Sequence, residues 1–239
     1  GEAIVAVDRT STYPPHVREL PQIGFARSLS AEGILAQRPT LVIGTEDDGP
    51  PPVMEQLEAL GIQHVAAPDV TTVETAYTRV RMVAQALGRV DEGEAMVERI
   101  QETLSRVQEQ WRPVEERPRA LLVYARGHGT LLVGGLETVA EALLLAAGAT
   151  MAVEAFDGFQ PLTAEAVIAA RPDVIVIPSR GLESLGGAEG LLAVPGVAQT
   201  PAGATQAFIA IDDALALSFG PRLGEAVQTL ADALKEVGG

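Results

Sequence analysis

Short continuous apolar runs alternate along this chain with stretches whose apolar residues recur at helical spacing. Runs at 3–7, 41–44, 62–66, 120–124, 174–177 and 208–211 lack the period-two alternation of a half-solvated strand. They read as strands buried on both faces, the first ending at Asp8. Helical patterns fall at 52–60, 71–87, 91–111, 134–147 and 223–237, with Gly61, Gly88 and Gly148 as stops and Asp91 as a cap. The segment 180–187, Arg-Gly-Leu-Glu-Ser-Leu-Gly-Gly, reads as a glycine-rich loop. Strands alternating with helices predict an α/β chain with parallel sheets covered on both faces.

Two stretches echo one another. Residues 30–44 run Ser-Ala-Glu-Gly-Ile-Leu-Ala-Gln-Arg-Pro-Thr-Leu-Val-Ile-Gly, and residues 163–177 run Thr-Ala-Glu-Ala-Val-Ile-Ala-Ala-Arg-Pro-Asp-Val-Ile-Val-Ile. Ser30 and Thr163 are N-cap residues, and Glu32 and Glu165 stand in the first turn, where the helix dipole favours a carboxylate. Pro39 and Pro172 then end each helix before a strand. Their separation is too long for a solenoid, so the echo predicts one αβ unit used twice, in two similar lobes. The pattern at 91–111, about 30 Å of helix at 1.5 Å per residue, is long enough to join them.

Composition narrows the partners. The chain has 239 residues and a net charge of −15, which argues against nucleic acid or an anionic membrane as a general partner. It contains no cysteine, so disulfides, thiolate metal sites and a catalytic thiol are excluded. No run is long and apolar enough to cross a bilayer, and no insertion of this chain into a membrane is expected.

The candidate chemistry lies after the first apolar run. Arg9, His16 and Arg18 surround Tyr13, one of three tyrosines, with Pro14 and Pro15 expected to hold the adjacent backbone extended. Positive charge favours a phenolate, and a phenolate is a ligand for ferric iron, haem iron included. The alternative is a surface tyrosine packed on its prolines.

Taken together, Thr-Ser-Thr-Tyr-Pro at 10–14, Leu-Ser-Ala-Glu-Gly at 29–33, Arg-Pro-Thr-Leu-Val at 38–42, Pro-Leu-Thr-Ala-Glu-Ala at 161–166, the 180–187 motif and Phe-Gly-Pro-Arg at 219–222 carry a family signature. Over nearly its whole length the chain resembles the periplasmic haem-binding proteins of bacterial ABC haem importers, within the cobalamin- and siderophore-binding superfamily. The resemblance implies two Rossmann-like lobes bridged by one long α-helix, with a ligand cleft between them. The N-terminal lobe would be 1–88, the connecting helix 89–112 and the C-terminal lobe 113–239. It also implies that the first βα unit of the N-terminal lobe is absent, since the chain opens at Gly1 and Glu2 directly before the 3–7 run.

In function, the resemblance implies a monomeric, non-enzymatic, periplasmic carrier that takes one or two haems (ferric protoporphyrin IX) to an ABC permease. Tyr13 matches the family's axial tyrosine, and Arg222 matches an arginine that faces the ligand from the second lobe. Arg222 and Arg18 would pair with propionates or hydrogen-bond the phenolate. His128, just after a second-lobe strand, is the candidate ligand for a second haem, and the alternative is a plain loop histidine. Arg180 either lines the cleft or anchors its own loop. Glu32 and Glu165 fall near the positions that dock on permease arginines. His64, inside an apolar run, reads as structural.

Other functions fit less well. A cobalamin or ferric-siderophore carrier would not require the tyrosine. A Rossmann-type enzyme lacks its signatures, since there is no Gly-x-Gly-x-x-Gly after a strand, phosphate-binding lysine loop or Gly-x-Ser-x-Gly elbow. A metal-ion carrier would want converging histidines and carboxylates, and the three histidines are scattered.

Overall fold

The structure, a computed structural model, describes residues 3–69 and 71–237. Gly1 and Glu2, on which the expected absence of a first unit turns, lie outside the described residues. Two compact units divide the chain, 1–69 with 78–93, and 70–77 with 94–239.

In the first unit, Ser30 Oγ accepts the Gly33 amide at 3.1 Å and starts α1 (Ala31–Leu35). Strand β1 (Leu41–Thr45) follows Pro39, and β2 (Gln63–Ala67) pairs with it in parallel from Leu41↔Gln63 to Thr45↔Ala67. The crossover helix α2 (Pro51–Ala59) begins on prolines, whose missing amides would be unbonded in a first turn anyway. Leu29, Ile34, Met54 and Leu57 form the core between these elements.

The expected strand at 3–7 does not form. Ile4 and Val5 are exposed, and the only bridge from this segment among the described residues joins Val7 to Gln22. A parallel strand needs a ladder along its length to satisfy its backbone groups, and one bridge does not supply it.

Helix α3 (Val73–Ala86) opens on a reciprocal cap, in which the Thr75 amide donates to Thr72 Oγ1 and the Thr72 amide to Thr75 Oγ1. Gly88, at φ +65°, turns the chain into α4 (Val90–Gln108). Asp91 sits inside the first turn of α4 rather than at its cap. The division between the units falls within α3 and α4.

The second unit is built on a six-stranded sheet among the described residues, of β3 (Arg119–Arg126), β4 (Thr130–Gly134), β5 (Thr150–Met151), β6 (Phe159–Pro161), β7 (Val174–Pro178) and β8 (Phe208–Ile211). Their order is β6-β4-β3-β7-β8, with β5 beside the first residues of β3. Strand β7 is buried at every position, as a central parallel strand must be. One face, through Leu122, Val176 and Ile209, packs on α5 (Val139–Ala146), α10 (Asp213–Leu217) and α11 (Leu223–Val237). The other, through Leu121, Val123 and Ile175, packs on α6 (Ala164–Ala170), α7 (Ser179–Leu185), α8 (Ala188–Leu192) and α9 (Pro201–Thr205).

Three expectations change here. The sheet is mixed, because after β3 the chain turns back at Gly127-His128-Gly129 and β4 runs antiparallel to β3, as β6 does to β4. The helix expected from 134 starts at Val139, since Gly134 ends β4 and Thr138 Oγ1 caps the Glu141 amide at 3.3 Å. The 180–187 motif is largely a helix, α7, and only Gly186 and Gly187 leave it, at φ +93° and +83°. Those two glycines stop the helix in the left-handed region that favours glycine and do not dissolve it.

Trp111, the single tryptophan, lies just past α4. Its indole edge is so close to Gly148 that a Cβ there would sit 2.6 Å from Cδ1, and the Arg117 guanidinium stacks 4.4 Å from the ring centre.

Candidate functional site

The Tyr13 loop is closed at its foot by backbone. Val7 N–H donates to Pro21 O, Ile23 N–H to Val7 O and Arg9 N–H to Gly24 O, at 2.8–3.0 Å, so residues 10–20 leave and return at one place. Asp8 organises the entry, accepting the Thr10 amide at 2.9 Å, the Ser11 amide at 3.0 Å and both hydroxyls. Burial pushes the Asp8 carboxyl up, but the hydrogen bonds from Ser11 and Thr10 outweigh burial and hold it below its ordinary range.

Tyr13 itself is 56% exposed, with a cis peptide to Pro14. Pro14 is extended as expected, whereas Pro15 opens a 3-10 turn, Pro15–Glu19, that plants Val17 in the interior. The turn forms because proline suits the first position of a helix. Arg18 Nε donates to Thr12 O at 3.2 Å, bracing the backbone just before the tyrosine. Arg9 lies over the Phe25 ring at 5.5 Å, and His16 is exposed on the 3-10 turn.

The second unit carries its own set, at the carboxyl ends of its strands and in the segment after α10. His128 is exposed in the β3–β4 turn, and Arg126 stacks 5.5 Å from the Tyr124 ring. Arg180 is the second residue of α7, its amide donating to Asp213 Oδ2 at 3.1 Å. Arg222 precedes α11 and grips Glu225 through both ends of its guanidinium, Nε to Oε2 at 2.6 Å. The hydrogen bond from Arg222 and its charge hold the Glu225 carboxyl below its ordinary range against a smaller effect of burial. Ligands of open α/β sheets bind beyond the carboxyl ends of strands. The cavity beside Trp111, Arg117 and Gly148 opens at the other end of β3 and is remote from these residues.

Glu32 and Glu165 are exposed first-turn residues of α1 and α6. His64 is almost buried on β2, 4.0 Å from Asp48 Oδ2 with no hydrogen-bond partner at Nε2, in keeping with a structural place. Among the described residues no three or more histidines and carboxylates converge as a metal site.

Residue typing alone missed Asp8, Ser184, Asp213 and Glu225. For Asp8 a signal was present, since Asp followed at two and three positions by Thr and Ser is the pattern of a side-chain-closed turn.

The periplasmic binding protein profile matches residues 1–215. The chain belongs to the periplasmic binding protein family. Among solved members, the periplasmic haem-binding protein RhuT from Roseiflexus sp. RS-1, in apo form, superposes with a TM-score of 0.94 at 40% identity, over 100% of this chain and 92% of that one. The periplasmic haem-binding protein BhuT, solved with two haems, gives 0.90 at 37%, over 99% and 90%. The ABC transporter substrate-binding lipoprotein YvrC of Bacillus subtilis is 22% identical over 98% of this chain and 74% of its own. A vitamin B12-binding protein of Photorhabdus laumondii is 23% identical over 74% of this chain and 63% of its own length. The family's α/β fold is therefore shared along this chain, and its relatives are binding proteins of transporters. No helix among the described residues is long and apolar enough to cross a membrane.

Proposed function

We propose that this chain is an extracytoplasmic, non-enzymatic carrier that binds ferric haem through Tyr13 and delivers it to an ABC permease. The observation that carries the reading is Tyr13 itself, more than half exposed on a loop tied at its foot by Asp8 and by the 7–9 and 21–24 backbone. A haem site needs an iron ligand, apolar walls and a few cations for the propionates. Tyr13 supplies the first. Arg222, Arg18 and Arg180 are the candidate cations, and an anion reaching Arg222 competes with Glu225. His128 is the candidate ligand of a second haem. The neighbours at 40% and 37% identity, by name haem-binding proteins, support the reading. Glu32 and Glu165 are the proposed permease contacts, and residues 89–112 the proposed connecting helix between lobes 1–88 and 113–239.

The vitamin B12-binding relative favours a second reading, a cobalamin carrier. The two separate on Tyr13. Titration with ferric haem should give a saturable spectrum with a high-spin tyrosinate band, and Tyr13→Phe should abolish that band and weaken binding at least tenfold. Unchanged haem affinity in the variant, or tight cobalamin binding by both proteins, would overturn the haem reading.

A further inference from the structure

The 180–187 motif takes a form that its composition hides, and its helix touches the turn that carries His128. Gly181 packs directly on β3. A Cβ built there would lie 3.2 Å from Ala125 O and 3.5 Å from Ala125 N, so a side chain fits only if α7 or the strand gives by a few tenths of an ångström. One helical turn later Ser184 Oγ donates to Gly181 O at 2.7 Å and accepts the Gly127 amide at 2.8 Å. The hydroxyl thus ties α7 to the first residue of the turn.

That turn is closed at its base by the Arg126↔Thr130 pair and carries this external tie besides. His128 stands between Gly127, at φ +58°, and Gly129, and glycines on both sides leave the histidine's backbone free to take many directions. Ser184 removes part of that freedom from outside the hairpin. A ligand group held in place beforehand binds more tightly, because less ordering remains to be done on association.

We propose that Gly181 and Ser184 are positioning residues for His128, with α7 acting as the clamp that aims its turn. The haem part of the argument rests on the reading of His128 as a second ligand; the clamp itself rests on the geometry of α7 and the β3–β4 turn. Arg180, next to Gly181 on the same helix, is set by the same packing.

The test uses the full chain with Ser184→Ala, Ser184→Thr, His128→Ala and the double variant Ser184→Ala/His128→Ala. Amide exchange at Gly127 is read by NMR, and ferric haem is titrated in parallel. Loss of one neutral hydrogen bond corresponds to about three- to tenfold. Ser184→Ala should speed Gly127 exchange by that factor and weaken the His128-dependent haem step equally, leaving the Tyr13 band intact. Ser184→Thr, which keeps the hydroxyl, should restore both, and Ser184→Ala should add no loss once His128 is gone. Unchanged Gly127 exchange in Ser184→Ala overturns the clamp, as does an equal haem loss with and without His128. Faster Gly127 exchange combined with a His128→Ala variant that binds haem normally supports the clamp and removes only the haem role of His128.

Discussion

How Tyr13 is presented depends on a carboxylate five residues earlier. Asp8 accepts two amides and two hydroxyls, so its ionised form is worth more in the folded loop than in the open chain. Its folded pKa lies below the unfolded one. Its contribution is therefore complete above the ordinary carboxyl range, about pH 4, and is lost as pH falls through the folded value. Asp8→Ala should cost about 1–2 kcal/mol at pH 7, read by urea denaturation, and the gap to the parent should shrink on lowering the pH to 3. A gap of the same size at both pH values would mean that the charge on Asp8 is irrelevant. Arg222 shows the same economy of pairing: Glu225 engages its guanidinium at Nε and Nη2, so a new anion meets a charge already partly balanced.

At the scale of elements, the cap residues decide where helices begin. Thr138 is 5% exposed and both donates to Gly135 O at 2.7 Å and caps the Glu141 amide. Thr138→Ala leaves those groups unbonded away from water and should cost about 1–2 kcal/mol, whereas the exposed cap Thr163→Ala should cost about half as much. Equal urea midpoints for the two variants would contradict this ranking. Much of the fold was legible for the same local reasons. Ser30 and Thr163 cap as their positions predict, the strand over 208–211 and the helix over 223–237 are found with those bounds, and Pro39 and Pro172 separate helix from strand. What was not legible depends on distant partners. A short apolar run such as 3–7 becomes a strand only where a neighbour offers a ladder, and the run at 130–134 becomes one because β3 lies beside it. Glycine count misled in α7, because whether a glycine breaks a helix or seats it against a strand is decided by tertiary contact. Of the candidate residues, Tyr13 is singled out by the sequence of its loop, while Ser184 and Asp213 become visible only once α7 is placed.

Over the whole molecule the two units are unequally supported. In the first, the buried cluster of the described residues rests on Leu29, Ile34, Met54 and Leu57 beneath two strands. In the second, apolar layers cover both faces of a larger sheet. Local opening is easiest where little apolar surface is buried. Amides of β1 and β2 should exchange with solvent well before those of β3 and β7, on the order of tenfold or more, as native-state exchange would measure. Comparable protection in both sheets would contradict the inequality. If Tyr13 binds its ligand, loading should slow exchange most in the first unit.

The seating of Trp111 against Gly148 and under Arg117 has an optical consequence. The chain has one indole, and it belongs to the second unit, so light absorbed at the red edge of the protein's ultraviolet band is re-emitted from a single known joint. Its emission colour reports on the packing at the foot of β3, while the Tyr13 loop stays dark at that wavelength. The chain thus carries a native fluorophore confined to one of its two halves.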